Sequence, residues 1–174
     1  EVLRGPQSGL YGADAVGGVI SIITKRGSGP PKVTATVEGG SFGTFNQNAS
    51  VRGSKENFDY SFNVDHFRAT NTPVTPDYWL ARNPAAPRHN SYDNWTASTK
   101  LGLDISENFR INHVSRFTTS ELRYVGDEFP PPTFTARPRS VQSEQDVRQF
   151  FTRTEAVLTG FDGRFTNYFG VNYS

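Results

Sequence analysis

The chain has 174 residues, of which 34% are hydrophobic and 13% aromatic, with 14 phenylalanines against seven tyrosines and two tryptophans. Lys and Arg total 18 and Asp and Glu total 17, so the net charge of +1 gives no field that would attract nucleic acid to the whole molecule. Cysteine is absent, which excludes disulfide scaffolds, thiolate metal sites and cysteine nucleophiles together.

The first 25 residues form the most informative motif of the sequence, E-V-L-R-G-P-Q-S-G-L-Y-G-A-D-A-V-G-G-V-I-S-I-I-T-K. Strand-like runs at both ends flank a centre dense in glycine. Because glycine adopts backbone conformations closed to other residues, the chain is expected to bend tightly between two buried strands. Gly12, Gly17 and Gly18 are interpreted as turn and close-approach positions that contribute no reactive group.

A linker follows this motif. The segment 26–31, Arg-Gly-Ser-Gly-Pro-Pro, fits neither a helix nor a central strand. From Lys32 onward the dominant pattern has a period of two residues, which is typical of strands with two unlike faces. Seven strands are predicted, at 33–38, 45–52, 58–69, 95–105, 109–119, 149–161 and 165–173.

The connections between these strands alternate in length. Short polar turns at 53–57, 106–108 and 162–164 each lead into a phenylalanine: Phe58, Phe109 and Phe165. Two long connections, 71–94 and 126–146, are rich in proline, asparagine and charge, whereas the link at 39–43 is brief. Outer-membrane barrels place tight turns and long loops at opposite ends, with aromatic girdles at both lipid boundaries. The recurrent phenylalanines are therefore expected in the girdle at the turn end.

The strand beginning at Phe58 shows which face would meet lipid. Phe58, Tyr60, Phe62 and Val64 alternate with polar residues, and Phe67 and Ala69 close the run. A charge at the bilayer midplane costs about 2 to 4 kcal/mol for Arg or Lys and less for acids. A slip of one residue would place the acids of this strand in hydrocarbon. The Phe-Tyr-Phe-Val face is predicted to point outward and the polar face to line the interior.

Candidate reactive groups are few. His66, His89 and His113 lack a second histidine or acid at ligand spacing and are expected to be lumen or loop residues. The sequence contains no H-E-x-x-H motif, EF-hand loop or G-x-S-x-G elbow, so no enzyme and no cofactor is predicted. Acids of the long connections could offer oxygens to Ca²⁺, although solvated loop acids are the default. These acids are Asp77, Asp93, Asp127, Glu128, Glu144 and Asp146.

One long connection also carries an aromatic and basic group. This group could bind a ligand from outside, because loops on a rigid scaffold are common binding elements. Its residues are Tyr78, Trp79, Arg82 and Arg88. Simple loop packing, or anchoring in the aromatic girdle, is an equally open interpretation of the same residues.

The opening motif closely resembles the end of the plug domain of TonB-dependent outer-membrane receptors, whose pattern reads roughly E-V-L-R-G-P-x-S-x-L-Y-G-x-x-A-x-G-G-V-I-x-I-x-T-K. The segment A-D-A-V-G-G-V is most similar to the cobalamin and catecholate-siderophore branch of this family. The resemblance implies an all-β fold: a partial antiparallel transmembrane β-barrel, about seven strands of about 22, preceded by the last strands of an α+β plug. Residues 1–27 would be the end of the plug, and residues 28–174 would be barrel strands one to seven.

The same resemblance implies a function. Such receptors lie in the outer membrane of Gram-negative bacteria and import a scarce nutrient of the iron-siderophore or vitamin B12 type. The implied partners are outer-membrane lipid, the nutrient chelate, and the TonB complex through a segment outside this chain. Carried over by position, Arg4 and Gly5 would lie at the boundary of plug and barrel, where Arg4 would pair with a barrel acid as a latch. The chain has no methionine and is expected to be a fragment that is inactive alone.

Two other interpretations of the sequence remain open. A soluble β-sandwich binding module would require the phenylalanine-rich faces to pack on a second sheet. An outer-membrane barrel enzyme would require a catalytic constellation elsewhere in the parent protein.

Overall fold

The computed structural model describes residues 2–5, 17–20, 26–161 and 163–174. Two short strands, β1 (Val2–Arg4) and β2 (Gly18–Ile20), pair antiparallel. Beyond this pair the Gly5 amide donates a hydrogen bond to the Gly17 carbonyl at 3.4 Å, and Gly5 has a φ of +92°, which suits glycine. The two described ends of the opening motif therefore form strands as predicted, and these strands pair with each other, while Gly12 lies outside the described residues.

The remaining elements form a strand meander. In chain order they are β3 (Lys32–Gly40), a 3₁₀ turn (Ser41–Gly43), β4 (Thr44–Lys55), β5 (Phe58–Pro73), α1 (Asp77–Leu80), β6 (His89–Ser106), β7 (Phe109–Tyr124), β8 (Asp127–Glu128), β9 (Arg137–Pro138), β10 (Ser143–Gly160) and β11 (Phe165–Tyr173). Seven strands make one antiparallel sheet in the order β11-β10-β7-β6-β5-β4-β3, and β8 and β9 form a separate small hairpin. The described chain is thus nearly all β, and its large sheet is open.

The strands run further than the sequence pattern predicts. The first long connection is 74–88 rather than 71–94, and the second is 125–142 rather than 126–146. Ladder hydrogen bonds use backbone groups, so pairing continues after the apolar alternation ends. As a consequence Asp93, Glu144 and Asp146, which were expected in loops, lie in strands.

The two ends of the sheet differ. Short turns follow Lys55, Ser106 and Gly160, and we call this side the turn end. The connections 74–88 and 125–142 lie at the opposite side, which we call the loop end. Short and long connections therefore alternate as predicted, because each tight turn joins two strands whose other ends carry the longer segments.

Continuous register places residues of like character on each side of the sheet. Phe62 stands between Val51 on β4 and Thr99 on β6, and Asn63 stands between Ser50 and Ser98. We call the side that carries Phe62 the apolar face and the other side the polar face. The apolar face includes Val33, Val37, Val51, Phe58, Phe62, Trp95, Leu101, Leu103, Ile111, Phe117, Phe150 and Leu158.

Phe67 and Ala69, which close the apolar run in the sequence, lie on the polar face, and two histidines lie on the apolar face. Phe67 pairs with Asn46 and Asn94 and therefore lies on the polar face, where its ring centroid is 6.1 Å from that of Tyr92. Period-two register is unbroken between Val64 and Phe67, so an apolar residue at an odd position must change sides. His66 and His113 lie on the apolar face for the same reason, and not in a lumen or loop position.

Burial in this sheet is the reverse of that in a water-soluble domain. Phe62 and Phe117 are 43% and 45% exposed on the apolar face, whereas Asp59 on the polar face is only 9% exposed. The buried hydrophobic residues of the described chain are Leu80 and Ala86, both in the connection 74–88. None of the helices in the described part has the length and apolar character needed to span a membrane.

Candidate functional site on the two faces of the sheet

The apolar face carries a band of nearly constant height. On β6, β7 and β10 it extends over Trp95–Leu103, Phe109–Phe117 and Phe150–Leu158, which is nine residues in each strand. Nine to 11 residues is about the length that a tilted β-strand needs to cross the hydrocarbon core of a membrane. We call these segments, together with Phe58–Val64 on β5, the apolar band.

Aromatic side chains mark both borders of the apolar band. Phe58, Phe109 and Phe165 begin β5, β7 and β11 at the turn end, and register places all three on the apolar face. Near the loop end Phe117 and Phe150 stand directly opposite each other. Trp95 on β6 lies two residues closer to the loop end than Ala97, which is the residue opposite Phe117. The predicted phenylalanine row at the turn end is therefore present, with a second aromatic row near the loop end.

Charged groups of the apolar face begin beyond the second aromatic row. His66 stacks on Trp95 with ring centroids 3.9 Å apart and an angle of 8° between the rings. Its Nε2 atom lies 3.2 Å from Oδ1 of Asp93, and its Nδ1 atom lies 2.7 Å from Nε2 of Gln47. In the described strands β5, β6, β7 and β10, this face bears no Asp, Glu, Lys or Arg between this level and the turn end.

The polar face holds a charge network near the turn end. Arg110 donates two hydrogen bonds from Nη1 to the carboxylate of Asp104, both at 2.8 Å, and one from Nε to Oδ1 of Asn112 at 2.8 Å. Its Nη2 atom also pairs with Asp59. The side chains of Arg110 and Asp59 are 15% and 12% exposed, so this network is the most buried ion pair described in the chain.

A glycine makes the network possible. Asp59 on β5 and Arg110 on β7 are separated by β6, and Gly102 lies between them in register opposite Asp59. A Cβ atom added to Gly102 would lie 1.9 Å from Nη2 of Arg110 and 2.5 Å from Oδ2 of Asp59. The missing side chain therefore opens the path by which Arg110 reaches across the strand.

A second polar network lies further along the same face. Asn48 donates a hydrogen bond from Nδ2 to Oδ1 of Asn63 at 2.9 Å, and both amides also contact the carboxylate of Asp65. On β6 and β7 the hydroxyls of Thr96 and Thr118 lie 3.2 Å apart. Polar side chains on this face thus satisfy one another across neighbouring strands, as groups removed from bulk water must.

The linker between the motif and the sheet is fixed to the turn end. The amide of Ser54 donates to the Gly29 carbonyl at 2.8 Å, and the amide of Gly29 donates to Oγ of Ser54 at 2.8 Å. Gly27 is buried, and an added Cβ atom would lie 2.1 Å from the Gly53 carbonyl oxygen. The segment 26–31 is therefore held against the β4–β5 hairpin by contacts that exclude a side chain at Gly27.

The predicted site residues are distributed as follows. The backbone of Arg4 lies in β1 and Gly5 follows it, and the proposed latch stays a prediction because the structure describes no side-chain contact of Arg4. Gly17 and Gly18 lie at the start of β2. Domain boundaries at residues 27 and 28 likewise stay a prediction.

The aromatic and basic group of the first long connection is only partly engaged. The guanidinium carbon of Arg137 lies 6.0 Å from the ring centroid of Trp79, and Arg137 pairs with Glu128 at 2.7 Å. This contact joins the connections 74–88 and 125–142 at the loop end. Tyr78, Arg82 and Arg88 are exposed. Their part in ligand binding stays a prediction.

Three carboxylates approach one another at the loop end. Glu121, Glu144 and Asp146 have oxygens that all lie within 4.8 Å of one another, and the last two were among the Ca²⁺ candidates. Exposed acids commonly cluster without an ion, so this arrangement alone identifies no metal site.

Asp59, Gly102 and Arg110 are the residues that sequence reasoning missed. One signal was available: the sequence Glu-Asn-Phe occurs at 56–58 and again at 107–109, and the next residue is Asp59 in the first copy and Arg110 in the second. The repeat marks these two residues as equivalent positions of opposite charge on β5 and β7. The glycine between them could be recognised only once the strand register was known.

Comparison with known proteins gives short local similarities. One stretch of 53 residues is 43% identical to the vitamin B12 transporter BtuB of Photobacterium profundum and covers 30% of this chain and 9% of that protein. Another stretch of 26 residues is 69% identical to the iron-regulated outer membrane virulence protein of Vibrio cholerae and covers 15% of this chain and 4% of that protein. No protein-family model and no solved structure matches the chain.

One of these relatives is named as a vitamin B12 transporter and the other as an iron-regulated outer membrane virulence protein. They support the resemblance to TonB-dependent receptors and leave the branch within that family open. The aligned stretches span less than a tenth of each relative, so the activity, substrates and partners of the whole protein are matters for proposal.

Proposed function

We propose that this chain is the plug end and the first seven barrel strands of a TonB-dependent receptor in the outer membrane of a Gram-negative bacterium. The receptor binds a scarce nutrient of the iron-siderophore or vitamin B12 type and imports it. The observation that carries this proposal is the exposed apolar band, nine residues high and bordered by aromatic rows, on a sheet whose polar face is the more buried one.

The two faces have separate roles in this proposal. The apolar band contacts lipid acyl chains, for which an exposed Phe62 or Phe117 carries no penalty. The polar face lines the interior and surrounds the plug, whose last strands are β1 and β2. Closure of the sheet by further strands would satisfy the free edges of β3 and β11, which hydrocarbon does not tolerate.

The nutrient and the energy source enter through other parts of the receptor. In this proposal the TonB complex acts on the plug through a segment outside this chain, and the chain serves in binding and transport and not in catalysis. Within the part described here, the long connections at the loop end are the candidates for contact with the incoming nutrient, and Tyr78, Trp79, Arg82 and Arg88 lie in one of them.

Arg4 is proposed to latch the plug to a barrel acid when the receptor is closed. A buried pair must be satisfied in the closed state and broken when the plug moves, which suits a latch. An Arg4→Ala receptor is expected to have a less stable plug and altered uptake. Unchanged values of both would remove the basis for the latch.

Site-specific labelling tests the assignment of the faces. The chain has no cysteine, so single cysteines at Phe62 and at its neighbour Asn63 give a matched pair in the full-length gene product. After reconstitution in phospholipid vesicles, a nitroxide at position 62 is expected to collide with lipid-soluble oxygen and one at position 63 with a water-soluble reagent. The opposite pattern would exclude the proposed orientation.

Uptake by a deletion strain tests the transport activity. Growth on iron-siderophore complexes or on cobalamin is expected to require the gene, and the nutrient that fails to support the deletion strain identifies the substrate. A soluble β-sandwich is the second candidate, and monomeric expression without detergent would favour it. The exposed apolar face argues against it, because no second sheet covers that face in the described residues.

A further inference from the structure

The polar face carries a belt of basic residues on the loop-end side of the Arg110 network. One register row crosses all seven strands of the large sheet and holds four cations and no acid: Lys32, Arg52, Ser61, Lys100, Val114, Arg153 and Asn172. The next row toward the loop end adds a fifth cation, again with no acid in the described strands: Thr34, Ser50, Asn63, Ser98, Arg116 and Phe151. We call Lys32, Arg52, Lys100, Arg116 and Arg153 the basic belt.

The acids nearest to the basic belt already have partners. In the adjoining row on the turn-end side, Asp59 pairs with Arg110 and Glu155 pairs with Arg153. In the adjoining row on the loop-end side, Asp65 contacts the amides of two asparagines. The positive charge of the basic belt is therefore only partly balanced by the sheet, through Glu155.

Two arginines of the basic belt are open to a partner from outside the sheet. Within the described residues, Arg52 and Arg116 form neither an ion pair nor a hydrogen bond. Arg110 on the same face has the opposite arrangement, because the sheet provides Asp59 and Asp104 for it. The basic belt is thus a positively charged part of the polar face, and such a surface attracts and orients an anion.

The described parts of the plug end and the linker add positive charge to this surface. Residues 2–5 and 17–20 contain no Asp or Glu and include Arg4. The linker brings Arg26, whose charge acts on that of Lys100. The anion that complements the basic belt is therefore sought in a molecule that enters the receptor, and not in these segments.

A groove in the basic belt indicates which chemical groups fit there. It has a volume of about 270 Å³, and its lining includes Ser50, Arg52, Ser61, Asn63, Ser98 and Lys100 and no acid. Hydroxyl and amide groups donate hydrogen bonds to oxygen atoms, and the planar fork of arginine binds an oxyanion through two parallel hydrogen bonds. The groove therefore suits the negatively charged oxygens of a ligand.

The spacing of the cations indicates more than one negative group on the ligand. Arg52 and Lys100 are separated by one strand, so their backbones lie about 10 Å apart, which is two strand spacings. Arg116 lies on the strand beyond Lys100 and one row closer to the loop end. A ligand that contacts these cations together must carry negative oxygens on several sides.

We propose that the imported nutrient is a multiply anionic chelate and that the basic belt binds its oxygen atoms, with Arg52 and Arg116 as the principal contacts. This inference rests on the proposed function and narrows its substrate class. The two nutrient types of that function differ in charge, because three dianionic catecholates around Fe³⁺ leave a trianion, whereas cyanocobalamin is neutral overall. Charge complementarity with the basic belt selects the anionic iron chelate.

The test measures binding of three defined probes to the purified full-length gene product by isothermal titration calorimetry. The probes are an iron(III) tris(catecholate) chelate, a neutral iron(III) tris(hydroxamate) chelate and cyanocobalamin. The wild type is expected to bind the tris(catecholate) chelate at least roughly tenfold more tightly than either neutral probe. Its affinity for that chelate is expected to fall as salt is added, because salt screens the attraction.

The double variant Arg52→Gln with Arg116→Gln is expected to weaken binding of the tris(catecholate) chelate roughly ten- to hundredfold. The matched control is Arg68→Gln with Arg123→Gln, which removes two exposed charges from the loop end of the apolar face and should leave binding unchanged. Arg52→Lys with Arg116→Lys keeps both charges and should recover most of the affinity, which separates loss of charge from loss of folding.

Three results would overturn the inference. The first is equal affinity of the wild type for the anionic and the neutral iron chelates. The second is an equal loss of affinity in the double variant and in the apolar-face control. The third is unchanged chelate binding by the double variant together with faster proteolysis of its plug, which would assign the basic belt to the plug instead of the nutrient.

Growth of the deletion strain separates this inference from the proposed function. Gene-dependent growth on cobalamin or on the neutral hydroxamate chelate alone would overturn the inference and leave the proposed receptor standing. Tight binding of the tris(catecholate) chelate that depends on Arg52 and Arg116, without any gene-dependent import, would count against the receptor and leave the basic belt as an anion site.

Discussion

The turn end and the loop end of the sheet use the same charged groups in different ways. At the turn end Asp59 and Arg110 are 12% and 15% exposed and are surrounded by hydrogen bonds. At the loop end Arg123, Glu121 and Glu144 are 50%, 45% and 53% exposed. Removing one partner of a pair is costly only where the other would be left buried and unpaired, so single substitutions are expected to be severe at the turn end and mild at the loop end.

The strongest way to break this comparison is to remove the central group of the turn-end network. Arg110→Gln leaves the buried Asp59 carboxylate without its cation and is expected to lower the free energy of unfolding by about 3 to 5 kcal/mol. Urea unfolding of the full-length gene product in phospholipid vesicles measures this. Adding Asp59→Asn to Arg110→Gln should recover part of the loss, because no charge then remains buried at that position.

The matched change at the loop end is Arg123→Gln, which should lower the free energy of unfolding by less than about 1 kcal/mol. Equal losses for Arg110→Gln and Arg123→Gln would show that burial does not distinguish the two ends.

The region between the two ends is tested by a charge placed in the apolar band. Val51 stands opposite Phe62 and Val33, and Ser50 is its neighbour on the polar face. Val51→Arg is expected to destabilise the protein in vesicles by about 2 to 4 kcal/mol, since a cation near the bilayer midplane must leave water. Ser50→Arg is the control and should destabilise the protein much less. If both substitutions were tolerated equally, the apolar face would not contact lipid.

The apolar band could be predicted from sequence, whereas the turn-end network could not. A period of two residues identifies a two-faced strand directly, so Phe58, Tyr60, Phe62 and Val64 were assigned to one face correctly. The pairing of Asp59 with Arg110 crosses an intervening strand and depends on the register of β5, β6 and β7, which single-strand periodicity does not contain.

The loop end was the part predicted least well. Backbone pairing carries β5 and β6 beyond the end of the apolar alternation, and this moved Asp93 from a predicted loop into a strand. The side on which Phe67 and His66 lie was wrong for a related reason. Their polarity does not match their position in the alternation, and unbroken register decides the side.

Gly102 offers a further test of the turn end, with a smaller expected loss of unfolding free energy. Gly102→Ala places a methyl group on the path of the Arg110 side chain and is expected to cost about 1 to 3 kcal/mol of unfolding free energy through overpacking. Gly39→Ala on β3 is the control, because an added Cβ atom there meets nothing within 4 Å. Gly39→Ala should be neutral or slightly stabilising, since alanine restricts the unfolded chain. Similar losses at both glycines would mean that Gly102 is not a passage for Arg110.

The smallest expected effect belongs to the exposed pair of Arg123 and Glu144 at the loop end. Glu144→Gln removes the pair with Arg123, whose atoms lie 3.6 Å apart, and is expected to change the free energy of unfolding by about 0 to 1 kcal/mol at low salt. Repeating the urea unfolding near 1 M salt should abolish the difference, because the screening length there is about 3 Å. The Arg110→Gln loss should persist at the same salt concentration, since partly buried pairs are screened much less. A salt-resistant effect of Glu144→Gln would place this loop-end pair in the same class as the turn-end network and show that exposure does not distinguish the two ends.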